Sequence, residues 1–372
     1  MAGVRAQLTP DHYVEQETFE REQSRIFQRL WLFAGLATFV QEHDDFFTCI
    51  IGDRRVVVQN FEGELCAFEN VCAHRGKLIQ VERHGTRPLV CGYHGWRYDC
   101  RGHVATIPFE RECYRFDQSE RRALRLPRFA LRKVGKLIFV NLSETPLPFD
   151  EQFSPGLATD LTAVSEAFDD EVLCTSWRGH YNWKLAYENL RDGLHPRFVH
   201  TKSLNLEVRF GAEGESGPPT SAEDRDALLS ELSFGGIDGE LLHPVTHGFH
   251  AQVHRWGTSN AYFNWLLYPN THMVSPDGGH LFSIEHHLPV APSVTQLIVY
   301  YMTARKRRQY AGSASVLWEY AKGAKRILDE DTAVMEQVQA ALPSTSIMGT
   351  QGHFERQSRM TDKWYLQQIN GS

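Results

Sequence analysis

The chain has 372 residues, 42% of them hydrophobic, and a formal net charge of -7. This length exceeds the size at which one hydrophobic core usually stays undivided, so we expect two domains. The acidic balance argues against nucleic acid as the main partner. The sequence has no apolar run of about 18 residues and no apolar signal core, which favours a cytoplasmic protein without a membrane span. Seven cysteines without the spacing of a disulfide framework fit a reducing compartment.

The first elements in chain order are a helix and then a meander of short strands. Apolar residues recur at helical spacing between positions 19 and 30. Turn residues then separate three β-rich runs at Gly52–Asp53 and Glu62–Gly63, and residues 126–141 form a hairpin pattern around Gly135. This part of the chain is therefore predicted to be all-β.

The sequence pattern changes after the proline-rich segment TPLPFDEQFSPG, where helical and strand patterns begin to alternate. We therefore place a domain boundary there. The predicted all-β domain comprises residues 38–150, and the second domain comprises residues 1–37 and 151–372.

Two short segments of the all-β domain each contain one cysteine and one histidine, Cys72 with His74 and Cys91 with His94. A zinc finger would place its cysteines in one segment and its histidines in the other. A Rieske [2Fe-2S] cluster takes two thiolates on one iron and two imidazoles on the other, so one of each per segment suits it. A structural zinc site is the alternative interpretation.

An acid- and histidine-rich segment, NWKLAYENLRDGLHPRFVH, spans positions 182–200. Helical spacing places Asp192 and His195 on one face. Pro196 predicts that the helix ends or kinks near His195, after which His200 can return beside that ring. Two imidazoles and one carboxylate form the ligand triad of mononuclear iron(II) oxygenases, so a carboxylate remains to be found.

A long helix is predicted over residues 315–342, and its inward stripe is apolar except at Asp331. A buried, unpaired carboxylate is costly, so we expect a partner or a metal there. Asp331 could instead pair with a buried arginine or cap another element. Asp329, Glu330 and Glu336 lie off this stripe, and we expect them to face solvent.

Taken together, these segments resemble the terminal oxygenase (alpha) subunits of Rieske non-heme iron oxygenases, which include ring-hydroxylating dioxygenases and oxidative demethylases. The resemblance covers nearly the whole chain and includes ENLRDGLHPRFVH, a YPN at 268–270 and EDTAVMEQVQ at 330–339. It implies an α+β protein. A small all-β Rieske domain, an iron-sulfur β-sandwich, would accompany an α+β helix-grip catalytic domain with an antiparallel sheet and long helices.

The resemblance also implies two metal cofactors. The residues that match the ligands of the Rieske [2Fe-2S] cluster are Cys72, His74, Cys91 and His94. The residues that match the ligands of the mononuclear Fe(II) are His195, His200 and Asp331.

Asp192 matches a family aspartate that hydrogen-bonds a ligand histidine of its own subunit and a cluster histidine of the next. We assign His195 and His94 of the partner subunit to these roles, because a carboxylate can accept a hydrogen bond from the outer N–H of a ligand imidazole. A plain helix-surface aspartate is the alternative. Asn189 matches a residue near the iron, for which an ordinary buried hydrogen-bonding role is as good an interpretation. The implied assembly is a homotrimer, or a hexamer with a small beta subunit.

The expected function is insertion of oxygen from O2 into an aromatic or similarly apolar substrate, as hydroxylation or dihydroxylation. Electrons would come from an NAD(P)H-dependent reductase, with or without a ferredoxin. Oxidative N- or O-demethylation and quaternary-amine monooxygenation are alternatives on the same scaffold. A Rieske electron carrier without oxygenase activity and a zinc-stabilised binding module are rivals from other classes.

Substrate preference is inferred from the strands around residues 249–284. The side chains predicted to form an apolar wall there are Phe249, Phe263, Trp265, Leu267, Phe282 and Ile284. The polar segment Gly211–Gly239 could form a lid or a disordered surface insertion.

Overall fold

The structure of the chain is a computed structural model. The residues that it describes are 4–192, 194–204, 208–210, 229, 232–241, 244–346, 349–352 and 355–371. The chain divides into two compact units, Phe27–Leu147 and a larger one formed by Met1–Ile26 with Pro148–Ser372. Within the described residues, no helix combines the length and apolarity needed to cross a bilayer.

The strands of the described part, in chain order, are β1 Val4–Arg5, β2 Leu32–Leu36, β3 Asp45–Ile51, β4 Arg54–Phe61, β5 Glu64–Glu69, β6 His84–Thr86, β7 Arg97–Tyr98, β8 Val104–Thr106, β9 Arg128–Val134, β10 Leu137–Asn141, β11 Leu173–Gly179, β12 Val208–Phe210, β13 Phe234–Leu241, β14 Ala261–Leu267, β15 Thr271–Ser275, β16 Leu281–Ala291, β17 Val294–Thr303 and β18 Thr350–Gln351.

The α-helices of the described part are α1 Asp11–Val14, α2 Gln16–Glu22, α3 Glu110–Cys113, α4 Gln118–Ala123, α5 Phe149–Gln152, α6 Pro155–Glu166, α7 Trp183–Leu190, α8 Pro196–Val199, α9 Ser313–Ala341 and α10 Arg356–Asn370.

The smaller unit is built on an antiparallel sheet of order β2-β10-β9-β5-β4-β3-β6. The hairpin between β4 and β5 shows why the sequence folds this way. Its two turn residues, Glu62 and Gly63, have φ values of 53° and 95°. Positive φ at both central residues gives the turn that matches the twist of paired strands. The predicted β-rich meander and the closing hairpin of β9 and β10 are confirmed.

The limits of this unit differ from the predicted 38–150. Strand β2 pairs with β10 and so belongs to the sheet of the smaller unit. The sequence-based prediction places residues 32–36 in the other domain because their sequence alone does not reveal this long-range pairing. The unit also ends earlier, at Leu147.

The larger unit contains an antiparallel sheet of order β11-β17-β16-β15-β14-β13-β12. The long helix α9 packs against it, and Leu317, Ala321 and Leu328 form a buried cluster with Leu297 and Val299 of β17. This antiparallel sheet with a long packed helix confirms the predicted α+β architecture.

Helix α7 is shorter than predicted. It ends at Leu190, capped by Arg191, and α8 begins at Pro196, whose ring suits the first position of a helix. His195 and Asp192 therefore lie on the connection between two helices rather than on one helical face.

Candidate metal centres

The two Cys/His segments of the smaller unit adopt the same backbone turn. The N–H of Gly76 donates to the carbonyl of Cys72 at 3.0 Å, and the N–H of Gly95 donates to that of Cys91 at 2.9 Å. Both glycines have φ of 71°, a conformation that other residues adopt at a cost. The spacing CxHRG and CxYHG thus produces two matching loops, each of which presents one sulfur and one imidazole.

The donor atoms of these loops fit a Rieske cluster. The rings of His74 and His94 are 4.5 Å apart between centroids, and their Nδ1 atoms are buried without a hydrogen-bond partner in the described part of the chain. Cys72 and Cys91 are also buried. Buried polar atoms are rarely left unpaired, so two such nitrogens beside two thiols indicate metal ligation.

The surroundings of these donors are aromatic. The Trp96 ring stacks on His74 at 4.8 Å, and the Tyr98 hydroxyl lies 3.0 Å from the Cys72 sulfur. Burial, followed by the adjacent His94, lowers the pKa of His74, which favours the neutral imidazole that binds metal. Burial raises the pKa of the Cys72 thiol, so its thiolate needs a cation to compensate.

In the larger unit, a second donor group brings together His195, His200 and Asp331. The Nε2 atoms of the two histidines lie 3.5 Å and 3.2 Å from Oδ1 of Asp331. Their ring planes are inclined at 76°, so both nitrogens can point at one ion. Two imidazoles and one carboxylate suit a divalent iron with open positions.

The opposite edge of each ring is held by a hydrogen bond. The Nδ1–H of His195 donates to the main-chain oxygen of Asp192 at 2.6 Å. The Nδ1–H of His200 donates to Oε2 of Glu330 at 2.9 Å. Because each Nδ1 carries the proton, each Nε2 presents its lone pair to the ion site.

The two imidazoles differ in their electrostatic surroundings. Burial is the largest influence on His195 and lowers its pKa. Burial is also the largest single influence on His200 and acts to lower its pKa, but the neighbouring carboxylates of Asp331 and Glu330 together outweigh it and raise that pKa overall. The lowered pKa of His195 and the raised pKa of His200 both arise from the compact packing of this group.

Asp192 and Asn189 lie beside this group in different ways. Oδ1 of Asp192 accepts the N–H of Leu194, and Oδ2 is 3.8 Å from Nδ1 of His195. The expected carboxylate contact to His195 is therefore wrong within the chain, because the main-chain oxygen takes that hydrogen bond. The side-chain amide of Asn189 donates to Oδ1 of Asp331 at 3.0 Å, so it holds the acidic member of the group.

Glu330 was predicted to face solvent, and this is wrong. Besides its contact with His200, Oε2 of Glu330 accepts the hydroxyl of Ser203 at 2.5 Å. Adjacent helical residues point about 100° apart, so Glu330 can reach one edge of an imidazole whose other edge faces Asp331. The adjacency of two acids at the buried position was the only sequence signal for this contact.

Another histidine-rich group, His250 with Asp277 and His280, also falls within ligand range. The rings of His250 and His280 are stacked at 3.9 Å with planes inclined at only 7°. An ion bound by a ring nitrogen lies close to the plane of that ring, and these two parallel planes share no such point. We therefore interpret this group as a packed ring pair.

A cavity of about 490 Å³ adjoins the His195–His200–Asp331 group. Its strand side is formed by Tyr262, Asn264, His272, Val274, Ser283 and Glu285. The predicted apolar wall is wrong, because Phe263, Trp265, Leu267, Phe282 and Ile284 alternate with these residues and point to the other face of the sheet. Phe249 does not line the cavity either.

Most of the segment Gly211–Gly239 lies outside the described residues. Residues 211–228, 230 and 231 lie outside the described residues. The end of the segment, from Phe234, is part of β13, which pairs with β14.

Comparison with known families covers both units. The profile of the "Rieske [2Fe-2S] domain" matches residues 31–128. The profile of the "Ring hydroxylating alpha subunit (catalytic domain)" matches residues 168–371, which is more than half of the chain.

Relatives and solved structures agree with these profiles. The large oxygenase component of a naphthalene 1,2-dioxygenase system from Pseudomonas aeruginosa is 38% identical over 80% of this chain and 72% of its own length. The large oxygenase component of salicylate 5-hydroxylase from Ralstonia sp. is 30% identical over 63% of this chain. The aligned part spans only 58% of that relative's length.

A crystal structure of a quaternary ammonium Rieske monooxygenase in complex with L-carnitine matches the fold, with a TM-score of 0.75 and 17% identity. The match covers 98% of this chain and 96% of that one. With both cofactor-binding patterns and both family profiles present in one polypeptide, this chain belongs to the family of Rieske-type ring-hydroxylating oxygenase alpha subunits.

Proposed function

We propose that this chain is the terminal oxygenase component of a multicomponent system that inserts oxygen from O2 into an organic substrate. The observation that carries the proposal is the presence in one chain of two separate donor sets. One set offers two sulfurs and two unpartnered imidazole nitrogens, and the other offers two imidazoles and a carboxylate. An electron carrier needs only the first set, and a zinc-stabilised module needs neither a second set nor an adjoining cavity.

In this proposal Cys72, His74, Cys91 and His94 hold the Rieske cluster, and His195, His200 and Asp331 hold the mononuclear iron. When bound, these groups would supply single electrons and a centre that activates dioxygen. The protein supplies orientation: Glu330 and the main chain of Asp192 fix the two imidazoles, and Asn189 fixes Asp331.

Asp192 is further proposed to contact a second copy of the chain, through His94 of the partner subunit. The hydrogen bonding of the two Asp192 carboxylate oxygens supports this contact. Oδ1 of Asp192 is bound to the N–H of Leu194, whereas Oδ2 makes no hydrogen bond within the described part of the chain. A homotrimer, or a hexamer with a small beta subunit, would provide the neighbour, and an NAD(P)H-dependent reductase, with or without a ferredoxin, would provide electrons.

Metal and sulfide analysis of anaerobically purified protein tests the assignment of both centres. The proposal predicts about three irons and two acid-labile sulfides per chain. Two irons with two sulfides would identify an electron carrier, and zinc without sulfide would identify a zinc-stabilised module.

Oxygen uptake tests the activity itself. With NADH, a surrogate reductase and ferredoxin, the proposal predicts that O2 consumption depends on an organic substrate and is coupled to an oxygenated product. A panel that includes hydrocarbons, phenols, amines, methoxyarenes and quaternary amines separates hydroxylation from oxidative demethylation by the product formed. Full iron loading without a product from any class would contradict the proposal.

A further inference from the structure

The cavity beside the iron ligands has one polar wall and one apolar wall. Its apolar wall comes largely from α9, with Ala324, Ile327 and Leu328. Its polar wall comes from the alternating face of β14, β15 and β16, on which Asn264, His272 and Glu285 lie. A cavity of this composition suits an apolar skeleton that carries a polar group at one end.

Glu285 is the central acid of the polar wall. The residue is only 6% exposed, and its Oε2 lies 2.8 Å from Nδ1 of His272. An ionised carboxylate can only accept, so the histidine N–H is the donor. The other ring nitrogen of His272, Nε2, lies 2.8 Å from the side-chain oxygen of Asn264, so the ring is enclosed between Glu285 and Asn264.

The second oxygen of Glu285 is left available. It makes no hydrogen bond to the described residues, and Glu285 borders the cavity. A carboxylate oxygen that is almost enclosed gains most from a partner with an N–H or O–H. Ser283, two residues earlier on the same face, adds a hydroxyl that already accepts a hydrogen bond from Tyr320 at 3.1 Å.

The charges around the cavity indicate which polar group fits. Its lining includes the carboxylates of Asp192, Glu285 and Asp331, and no lysine or arginine is among the lining residues that the structure describes. The iron would offset the charge of Asp331, whereas a negative group at the strand wall would face the carboxylate of Glu285 with no lysine or arginine beside it among the described lining residues. Neutral or positive groups that donate hydrogen bonds would meet an acceptor.

We propose that this cavity selects substrates that carry a hydrogen-bond donor, a hydroxyl or an amine, on an apolar skeleton. Glu285 accepts that hydrogen bond, and His272 positions Glu285. This inference rests on the proposed oxygenase function, since it names the substrate class of the same site, and it adds a polar group to the aromatic or similarly apolar substrate expected from the sequence.

Calorimetric titration of the iron-loaded protein with naphthalene, naphthol, naphthylamine and naphthoate tests the proposal without turnover. These probes share one ring system and differ only in the polar group. We expect naphthol and naphthylamine to bind at least tenfold more tightly than naphthalene, as a hydrogen bond to a charged group provides, with naphthoate the weakest. Equal affinities, or tightest binding of naphthoate, would overturn the inference, and this ranking needs no variant.

Two variants test whether Glu285 is the acceptor and whether His272 positions it. Glu285→Gln should reduce the preference for naphthol over naphthalene to less than threefold, and His272→Gln should reduce it partly. Val274→Ala, in the same cavity, is the matched control and should weaken all probes alike. An unchanged preference in Glu285→Gln would exclude Glu285 as the acceptor.

Oxygen uptake separates this inference from the proposed function. Tight binding of naphthol without substrate-dependent O2 consumption by any compound would contradict the oxygenase function and leave the binding preference standing. Efficient oxygenation of naphthalene with no preference for naphthol would support the function and overturn the preference.

Discussion

Oε2 of Glu330 lies 2.9 Å from Nδ1 of His200 and fixes the orientation of that imidazole. The contact joins a helix residue to a histidine that lies 130 positions earlier in the chain. Since the same carboxylate accepts the hydroxyl of Ser203, Glu330 organises the segment after α8 as well as the ring. The proposed iron ligand thus depends on a neighbour that binds no metal itself.

Replacing Glu330 should therefore weaken iron binding without removing a ligand. Glu330→Ala should lower the affinity for Fe(II) by about 10–100-fold, the usual effect of losing a partner of a ligand histidine. Glu330→Gln keeps a hydrogen-bond acceptor and should therefore lose less affinity for Fe(II) than Glu330→Ala. Asp329→Asn is the control, because Asp329 is exposed and pairs with Lys325. Competition with a fluorescent chelator measures the affinity, and equal values for Glu330→Ala and Asp329→Asn would contradict this role.

Removing a ligand should have a sharper effect. His195→Ala and Asp331→Ala are expected to empty the mononuclear site, so the iron content should fall from about three to about two per chain. Visible absorption of the cluster should stay intact, because its ligands lie in the other compact unit. Full iron occupancy in Asp331→Ala would show that another acid completes the site.

Asp192→Ala should separate iron binding from turnover. The main-chain oxygen that accepts from His195 remains in this variant, so iron content and cluster absorption should equal those of the wild type. Single-turnover product formation should slow by at least tenfold if the side chain contacts the partner subunit. A normal single-turnover rate would show that the proposed contact is wrong.

Tyr98→Phe should lower the reduction potential of the cluster. The Tyr98 hydroxyl is 3.0 Å from the Cys72 sulfur and can donate to a thiolate, which stabilises the more negative reduced state. Loss of about 1 kcal/mol of this stabilisation of the reduced cluster corresponds to a decrease in reduction potential of the order of 50 mV. A redox titration followed by circular dichroism measures it. Tyr93→Phe is the control, since that ring is largely exposed.

Glu188 should make stability depend on pH. The Tyr13 hydroxyl donates to Oε1 of Glu188 at 2.6 Å. Burial, reinforced by Asp362, nevertheless raises the pKa of Glu188 from 4.5 to about 8. The folded state therefore keeps a proton that the unfolded chain releases above pH 4.5. Stability should fall as pH rises from about 4.5 to about 8 and then level off.

Glu188→Gln should remove this dependence. The wild type should lose about 1–3 kcal/mol relative to the variant between pH 5 and pH 8. Thermal unfolding at both pH values measures the difference. Glu319→Gln is a control on an exposed side chain, and a parallel pH profile for Glu188→Gln and the wild type would contradict the assignment.

The parts of this protein that were predictable are those whose signals are local. The Cys/His loops were located because their ligands are two or three residues apart, and the β4–β5 hairpin because Glu62 and Gly63 mark its turn. Asp331 was located because a single acid interrupts an apolar stripe that recurs at helical spacing. In each case one segment carries the whole pattern.

The parts that were missed depend on contacts between distant segments. Strand alternation gives two candidate faces for β14 and β16. The sequence alone favours the more apolar face for the cavity, although that face packs into the core. The role of Glu330 required knowing that His200 lies against α9. The hydrogen bond from His195 goes to a main-chain atom, and no sequence pattern distinguishes that acceptor from the Asp192 side chain.

Glu330 and Asp331 are adjacent in helix α9 and contact opposite edges of the His200 ring. A deletion of one residue between Ser313 and Glu330 would turn both carboxylates by about 100° at once. Such a deletion would abolish metal binding at the His195–His200–Asp331 site although every residue of the sequence motifs would be retained. When homologues that have lost oxygenase activity are sought, the spacing along α9 is therefore as informative as the identity of the acids.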